Sequence, residues 1–543
     1  MKFRVILVFQ LVLLISCSQK ERVDLVVLNG RIYTADSAFN IREAMAIHDE
    51  KIVALGTSEY ISKRFSAKET IDAGGKAVFP GFIDAHCHFS GMATDRWKCN
   101  LVGTGSFREV LDTVNAYAKK VETRWIYGRG WDQNDWENKA YPTRRELDSL
   151  FPDRPVFLKR IDGHAALVNQ AALDLAGITP NTQVTGGVFQ KKDGKLTGIL
   201  IDKAMEMVDE KIPGISDTLA KKYFEDVQRL CLAVGLTSVH DCGISENTLE
   251  LLKQFEDEGR MKMKVYALLS DSVHYYDSWL QKGIFKTRLI TMGGFKLYAD
   301  GALGSRGACL LEPYADEPGW KGFMLRDSAY FSMVAGKLAN SPFQLCTHAI
   351  GDSANRSILT LYGRVLTGKR NRRWRIEHAQ VVNEKDFKLF KEFKVIPSVQ
   401  PTHATSDMYW AGERLGEQRM RHAYAYRELL NLHGWMPLGT DFPVEDISPL
   451  KTFYAAVVRK DASGYPAEGF QKENGLTREQ ALKGMTIWAA KAAFQEGEKG
   501  SLEPGKSGDF VILDRDIMRC REDEILPARV VMTFINGEKV FGE

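Results

Sequence analysis

The run Pro80-Gly81-Phe82-Ile83-Asp84-Ala85-His86-Cys87-His88 ends an apolar stretch in two histidines one residue apart. Successive side chains on a strand point to opposite faces, so a strand finishing here turns both imidazoles the same way and brings two nitrogens together. Later apolar runs end in Thr347-His348-Ala349, Glu377-His378-Ala379 and Gly439-Thr440-Asp441. In a barrel the C-terminal strand ends ring one mouth, so residues hundreds of positions apart meet there. His86, His88, His348, His378 and Asp441 would then form a ligand set for a borderline, nitrogen-accepting divalent cation. A lone histidine at a strand end is more often a structural or substrate-contacting group. Five such residues, each closing a strand, make the metal reading the stronger one.

The elements that must position these residues alternate strand-like and helical stretches through the middle of the chain, the pattern of an α/β fold around a mainly parallel sheet. Candidate strands are Val78 to Ala85, Trp125 to Tyr127, Val156 to Lys159, Thr237 to His240, Lys264 to Leu269, Gly294 to Tyr298, Phe343 to Thr347, Trp374 to Glu377, Val395 to Val399 and Met436 to Gly439. These are two more than an eight-stranded barrel uses. The surplus is assigned to an insertion at about 100–220, where two β-type runs flank Asp193-Gly194 as a hairpin. Short β-type runs over 23–78 and again over 496–543 are each too small to close a sandwich alone, so the two ends are expected to pair into one around a barrel at 79–495.

With 543 residues, 73 basic against 70 acidic side chains and no long run of either sign, the chain has the composition of a large globular protein with no polyanion as partner. Lys2 and Arg4 precede an apolar run from Val5 to Ile15, too short to span a bilayer, which reads as a signal peptide over 1–16. Leu14-Ile15-Ser16-Cys17 resembles the bacterial lipoprotein box. Lipid on Cys17, with 17–22 as a tether, would give an exported protein anchored to a bacterial membrane. The other seven cysteines form no CxxC pair and read as buried thiols.

His86-x-His88 after Pro-Gly-Phe-Ile-Asp, followed by Lys296, His348, His378 and Asp441, resembles the amidohydrolase superfamily. Gly294-Phe295-Lys296-Leu297-Tyr298-Ala299-Asp300-Gly301 and Asp162-Gly163-His164-Ala165-Ala166 resemble its family 3 branch, which includes N-substituted formamide deformylase-like hydrolases. The likeness covers Val23 to Val540.

The resemblance implies a distorted (β/α)8 TIM barrel holding one or two divalent ions, zinc first. His86, His88 and Asp441 would hold one ion and His348 and His378 the other, bridged by Lys296 as N6-carboxylysine. Capture of CO2 needs a neutral amine, which burial near cations would favour. The alternative is an unmodified Lys296 beside a single metal. Metal-activated hydroxide would attack a C–N bond of a small molecule, with Asp441 as proton shuttle. His164, Trp131 and Arg306 are candidate substrate contacts, and His240 and His403 candidate supports of the ligands. Tyr409-Trp410 is a candidate aromatic wall of the pocket. Alternatives are a C–O hydrolase for lactones or esters, and a non-catalytic binding lipoprotein. A homo-oligomer is compatible with all three.

Overall fold

The computed structural model describes residues 20–369 and 371–542. The expected signal peptide over 1–16 and the expected lipidation site Cys17 lie outside the described residues.

Seven parallel strands form the barrel sheet in the spatial order of the chain: Phe82–Cys87, Leu236–Ile244, Lys264–Ser270, Ile290–Tyr298, Gln344–Ala349, Arg375–His378 and Ile396–Ser398. Residues 436–440 close the ring. Leu438 bridges Val399 on one side, and on the other Ala85 N–H donates to the Leu438 carbonyl at 3.1 Å and Asp441 N–H to that of His86 at 2.8 Å. The buried Asp84 carboxylate reinforces this seam by accepting from Thr440 Oγ1 at 2.6 Å and from the Thr440 and His86 amides at 3.1 Å. A Cβ on Gly439 would lie 2.6 Å from His86 N and 2.8 Å from Asp84 Oδ1, so the close approach of the first and last strands requires glycine there.

The expected strand from Val78 to Ala85 is two strands. Ala77–Pro80 pairs antiparallel with Phe510–Leu513 in the sandwich, and Phe82–Cys87 enters the barrel. They part at Gly81, where a Cβ would meet the Thr237 side chain at 2.3 Å.

The sandwich joins both chain ends. One sheet runs Lys51–Gly56, Ala44–His48, Glu21–Leu28, Phe65–Asp72. The other runs Glu538–Phe541, Val530–Ile535, Phe510–Leu513, Ala77–Pro80, Arg31–Tyr33, Ile41–Arg42, mixing strands from the two termini. Leu25, Ile47 and Ile52 from one sheet pack on Ile32, Val78, Phe510 and Phe534 from the other, the apolar faces that neither end could cover alone.

Between the first and second barrel strands the chain makes a mixed sheet of its own: Gly187–Lys192, Lys195–Asp202, Ala165–Val168, Val156–Arg160, Ile126–Trp131, Cys99–Asn100. Alternation separates its faces. Ile126, Val156 and Leu158 pack on one side with Leu111 and Val114 of the helix Phe107–Ala118, while Tyr127 and Phe157 pack on the other with Met205 and Val208 of the helix Lys203–Asp209. The hairpin turn falls at Asp193-Gly194, both with positive φ (51° and 75°), as a two-residue type I′ connection demands. No described helix is long and apolar enough to cross a membrane, and the seven described cysteines are free.

Candidate metal centre and active-site cavity

His86, His88, Lys296, His348, His378 and Asp441 all reach one cavity of about 1610 Å³ at the C-terminal mouth of the barrel, between it and the insertion; all but His86 line it, and Lys296 Nζ lies 3.2 Å from His86 Nε2. Three histidines are oriented from behind through Nδ1. His86 donates to Glu377 Oε2 at 2.5 Å, His88 to the Cys242 carbonyl at 2.8 Å and His378 to Gln400 Oε1 at 2.8 Å. That leaves each Nε2 free of these outer partners, the arrangement in which such partners fix tautomer and ring direction.

Burial holds His86 down to about 4 and keeps His348 and His378 well below the ordinary histidine value. They are therefore neutral at pH 7, with the lone pair a cation needs. Burial pushes the Asp441 carboxyl up, but His403 beside it prevails and holds it well below the usual carboxylate range. Its Oδ1 lies 3.1 Å from His88 Nε2 and 3.6 Å from His86 Nε2 without completing a hydrogen bond to either. An unpaired buried carboxylate oxygen facing two imidazole nitrogens is a donor set that fits a divalent cation, since burial without a partner is otherwise costly. Two ligand positions are strained: His378 and Asp441 have φ of 74° and 65°. Such backbone costs about 1–3 kcal/mol per residue and concentrates at functional sites.

Two groupings of ligand atoms converge, His86-His88-Asp441 and His378-His403-Asp441. The first is the expected one. In the second, His403 stands beside His378, but the carboxylates at both of its ring nitrogens hold it well above the ordinary histidine value, so it offers a cation no lone pair. His403 Nε2 lies 3.2 Å from Asp441 Oδ2 and its Nδ1 3.2 Å from Glu445 Oε1. His348 packs ring to ring with His378 at 4.5 Å, and its Nε2 faces the Gly301 carbonyl at 3.4 Å. His403 sits at the start of the helix Pro401–Asp407 rather than in a strand-terminal motif, so sequence could offer it only as a neighbour.

Lys296 donates to His86 Nε2 at 3.2 Å and lies over the Tyr298 ring. Among the chain's own groups, burial and charge oppose each other at the Lys296 ammonium. Burial works downward, but Tyr298, Cys242, Glu377 and Asp441 around it prevail and hold the ammonium above its ordinary value. With only the chain's own charges nearby the charged amine is favoured; added positive charge is what would free it.

Behind His86 a wholly buried chain of polar groups runs through the barrel. Arg375 Nε donates to Glu377 Oε1 at 2.5 Å and Arg375 Nη1 to His240 Nδ1 at 3.0 Å. Burial pushes Glu377 up, yet Arg375 and His86 hold it well below the carboxylate range. Neither Glu377 nor Arg375 stands out in the sequence. The one available signal was the polar pair Arg375-x-Glu377 inside an apolar strand, both facing the interior by the two-residue period.

Of the three expected substrate contacts, the structure brings only His164 to the cavity. Trp131 is 1% exposed in the insertion core, with Nε1 donating to the Leu158 carbonyl at 2.7 Å and its ring beside Trp136 and Tyr141. Its size and apolar surface are satisfied by packing. Arg306 Nη2 donates to Asp316 Oδ2 at 2.8 Å and its Nε lies 3.3 Å from Glu317, so its guanidinium is committed to neighbouring carboxylates outside the cavity. Trp410 lines the cavity, whereas Tyr409 is exposed and stacks on Tyr465.

Comparison with known proteins agrees with this architecture. The chain is 34% identical to Protein LONG AFTER FAR-RED 3 of Arabidopsis thaliana, over 95% of this chain and 91% of the relative. It is 26% identical to N-substituted formamide deformylase of Arthrobacter pascens, over 95% and 97%. A crystal structure of an uncharacterized metal-dependent hydrolase from Pyrococcus horikoshii superposes with a TM-score of 0.75 at 30% identity, covering 92% of this chain and 99% of that one. The amidohydrolase family profile matches residues 69–541, and with that match the protein belongs to the amidohydrolase family.

Proposed function

We propose that the protein hydrolyses a C–N bond of a small molecule, an amide, formamide or cyclic amide, at a divalent metal site, with zinc the first candidate. The observation that carries the reading is the convergence of imidazole nitrogens on the unpaired Asp441 oxygen at the mouth of a large cavity. The similarity to N-substituted formamide deformylase favours C–N over C–O cleavage.

His86, His88 and Asp441 would hold one ion; His348 and His378 would hold a second. Such an ion supplies Lewis acidity toward a water and a carbonyl oxygen. The chain's own part is proton transfer. Asp441, ionised at neutral pH, accepts a proton as the water oxygen adds to the carbonyl carbon, and returns it to the nitrogen as the C–N bond breaks. The departing amine would otherwise be a very poor leaving group. Lys296 is proposed to carry CO2 on Nζ in the metal-loaded protein: the ammonium first gives up a proton, and the neutral amine then adds CO2 and releases a second proton to give a carbamate. Intact-protein mass spectrometry under CO2 reads this as an added CO2 that Lys296→Ala lacks. The lipoprotein-like segment at Cys17 supports an exported, membrane-tethered enzyme.

The test is metal analysis of the purified protein, followed by turnover on matched amides, cyclic imides and lactones. Stoichiometric metal with amide cleavage is expected, and turnover confined to lactones overturns the reading. Asp441→Asn is expected to lower kcat by roughly 10²–10⁴-fold, the scale of a lost acid–base group. Near-normal turnover of a metal-replete variant removes Asp441 from its role.

A further inference from the structure

The insertion reaches the metal centre through His164, at the turn between Val156–Arg160 and Ala165–Val168. That turn is fixed locally: Gly163 has φ 77°, and His164 N–H donates to Asp162 Oδ1 at 2.9 Å. Across it lies Asp202, at the end of the hairpin strand Lys195–Asp202. The two residues are joined twice, by Asp202 N–H to the His164 carbonyl at 3.0 Å and by His164 Nδ1 to Asp202 Oδ1 at 2.6 Å.

This pairing is maintained against local preference. Asp202 has φ 50° and ψ −120°, a region that L residues avoid at a cost of about 1–3 kcal/mol. It is 6% exposed, and its Oδ2 has no hydrogen-bond partner. That oxygen rests against two glycines of the barrel loop after Lys296. A Cβ on Gly301 would lie 2.5 Å from it and one on Gly307 2.7 Å. The barrel thus leaves space for a carboxylate delivered by another unit of the chain. A histidine serving only to staple the insertion would satisfy both ring nitrogens. Here Nδ1 is held and Nε2 has no protein partner among the described residues. The ring lines the cavity 5.0 Å from that of His348 and 6.4 Å from that of Tyr298. A strained, incompletely paired carboxylate behind a half-committed imidazole stabilises the fold poorly but aims one ring nitrogen well.

We infer that the insertion completes the active site: His164 is a catalytic residue whose Nε2 hydrogen-bonds the scissile amide group of the substrate, and Asp202 is the positioning residue that aims it. This rests on the C–N hydrolysis proposed above. The substrate must accordingly fit between the metal ligands and the insertion, with its reacting group at the His348 side of the cavity.

The test uses the metal-replete full-length protein and the best amide from the screen. His164→Ala is expected to lower kcat/KM by about 10²–10³-fold, the scale of a lost contact to the reacting group, with metal content unchanged. Asp202→Asn is expected to cost about 10–100-fold, as loss of an orienting carboxylate does. Because the two act as a unit, the double variant should be no worse than His164→Ala within about threefold. His164→Gln, which keeps a hydrogen-bonding group in the cavity, should recover activity over His164→Ala. Costs that multiply in the double variant refute the positioning role of Asp202. If His164→Ala turns over at the parent rate while Asp441→Asn is impaired, the inference fails and the proposed function stands. If the parent cleaves no amide, the proposed function itself fails.

Discussion

At the scale of single residues, the centre depends on groups that never touch a ligand. Glu377 fixes His86 through Nδ1 and is itself held by Arg375, all with essentially no solvent exposure. A carboxylate behind a metal-binding histidine raises its basicity and fixes its orientation, and losing it typically costs 10–100-fold in metal affinity. Glu377→Gln, nearly identical in shape, should therefore weaken metal binding by roughly that factor in a chelator competition. Unchanged affinity would show that His86 needs no such support. His86, His88 and Asp441 were legible because strand-end motifs advertise them. Glu377, Arg375 and His403 were not, because a buried acid, a buried base and a helix-borne histidine look ordinary until the strands are assembled.

At the scale of elements, the site depends on how the last strand closes the ring. Residues 436–440 join their neighbours through one isolated bridge and a few hydrogen bonds rather than a full strand ladder, and Asp84 and Gly439 carry the junction that sets Asp441 against His86. Gly439→Ala forces a methyl group against the His86 backbone, and overpacking of this kind costs about 1–3 kcal/mol. We expect a lowered Tm together with weakened metal binding, read by calorimetry with and without the metal; a normal Tm and normal affinity would show that the junction can relax. The seven barrel strands, the segment that closes the ring and the insertion hairpin were readable from apolar runs and from Asp193-Gly194. The break at Gly81 was not, because one run serves two sheets and is divided by a change of backbone partner: Gly81 N–H donates to the Asp509 carbonyl and Phe82 N–H to that of Gly235.

At the scale of the whole molecule, sandwich and barrel meet at a seam with two buried lysines. Lys264 Nζ donates to Asp509 Oδ2 at 2.6 Å, and Lys499 Nζ donates to Ser238 Oγ at 2.6 Å. Burial, followed by the charge of Lys264, lowers Lys499 from 10.5 to about 7. A lysine whose folded pKa is depressed binds fewer protons folded than unfolded between those two values, so its destabilising effect is complete below about pH 7 and fades as pH rises toward 10.5. Lys499→Met should therefore be most stabilising relative to the parent near pH 6, with the advantage shrinking toward pH 10. Denaturant unfolding across that range checks it, and a difference that does not vary with pH would show that Lys499 titrates normally.

By itself the sequence determined the α/β class, the pairing of the chain ends, the place of the insertion and most of the side chains that meet at the barrel mouth. These follow from local signals: the period of apolar residues, turn chemistry, and histidines at strand ends. Only the tertiary structure decided which histidines share Asp441, that Trp131 is packing and Arg306 an ion-pair partner, and that His164 faces the metal centre from another unit of the chain. Those outcomes turn on distances between residues far apart in sequence, on which nitrogen of each ring is already engaged, and on how burial and neighbouring charges set each group's protonation. A residue's type and its local spacing carry none of that information.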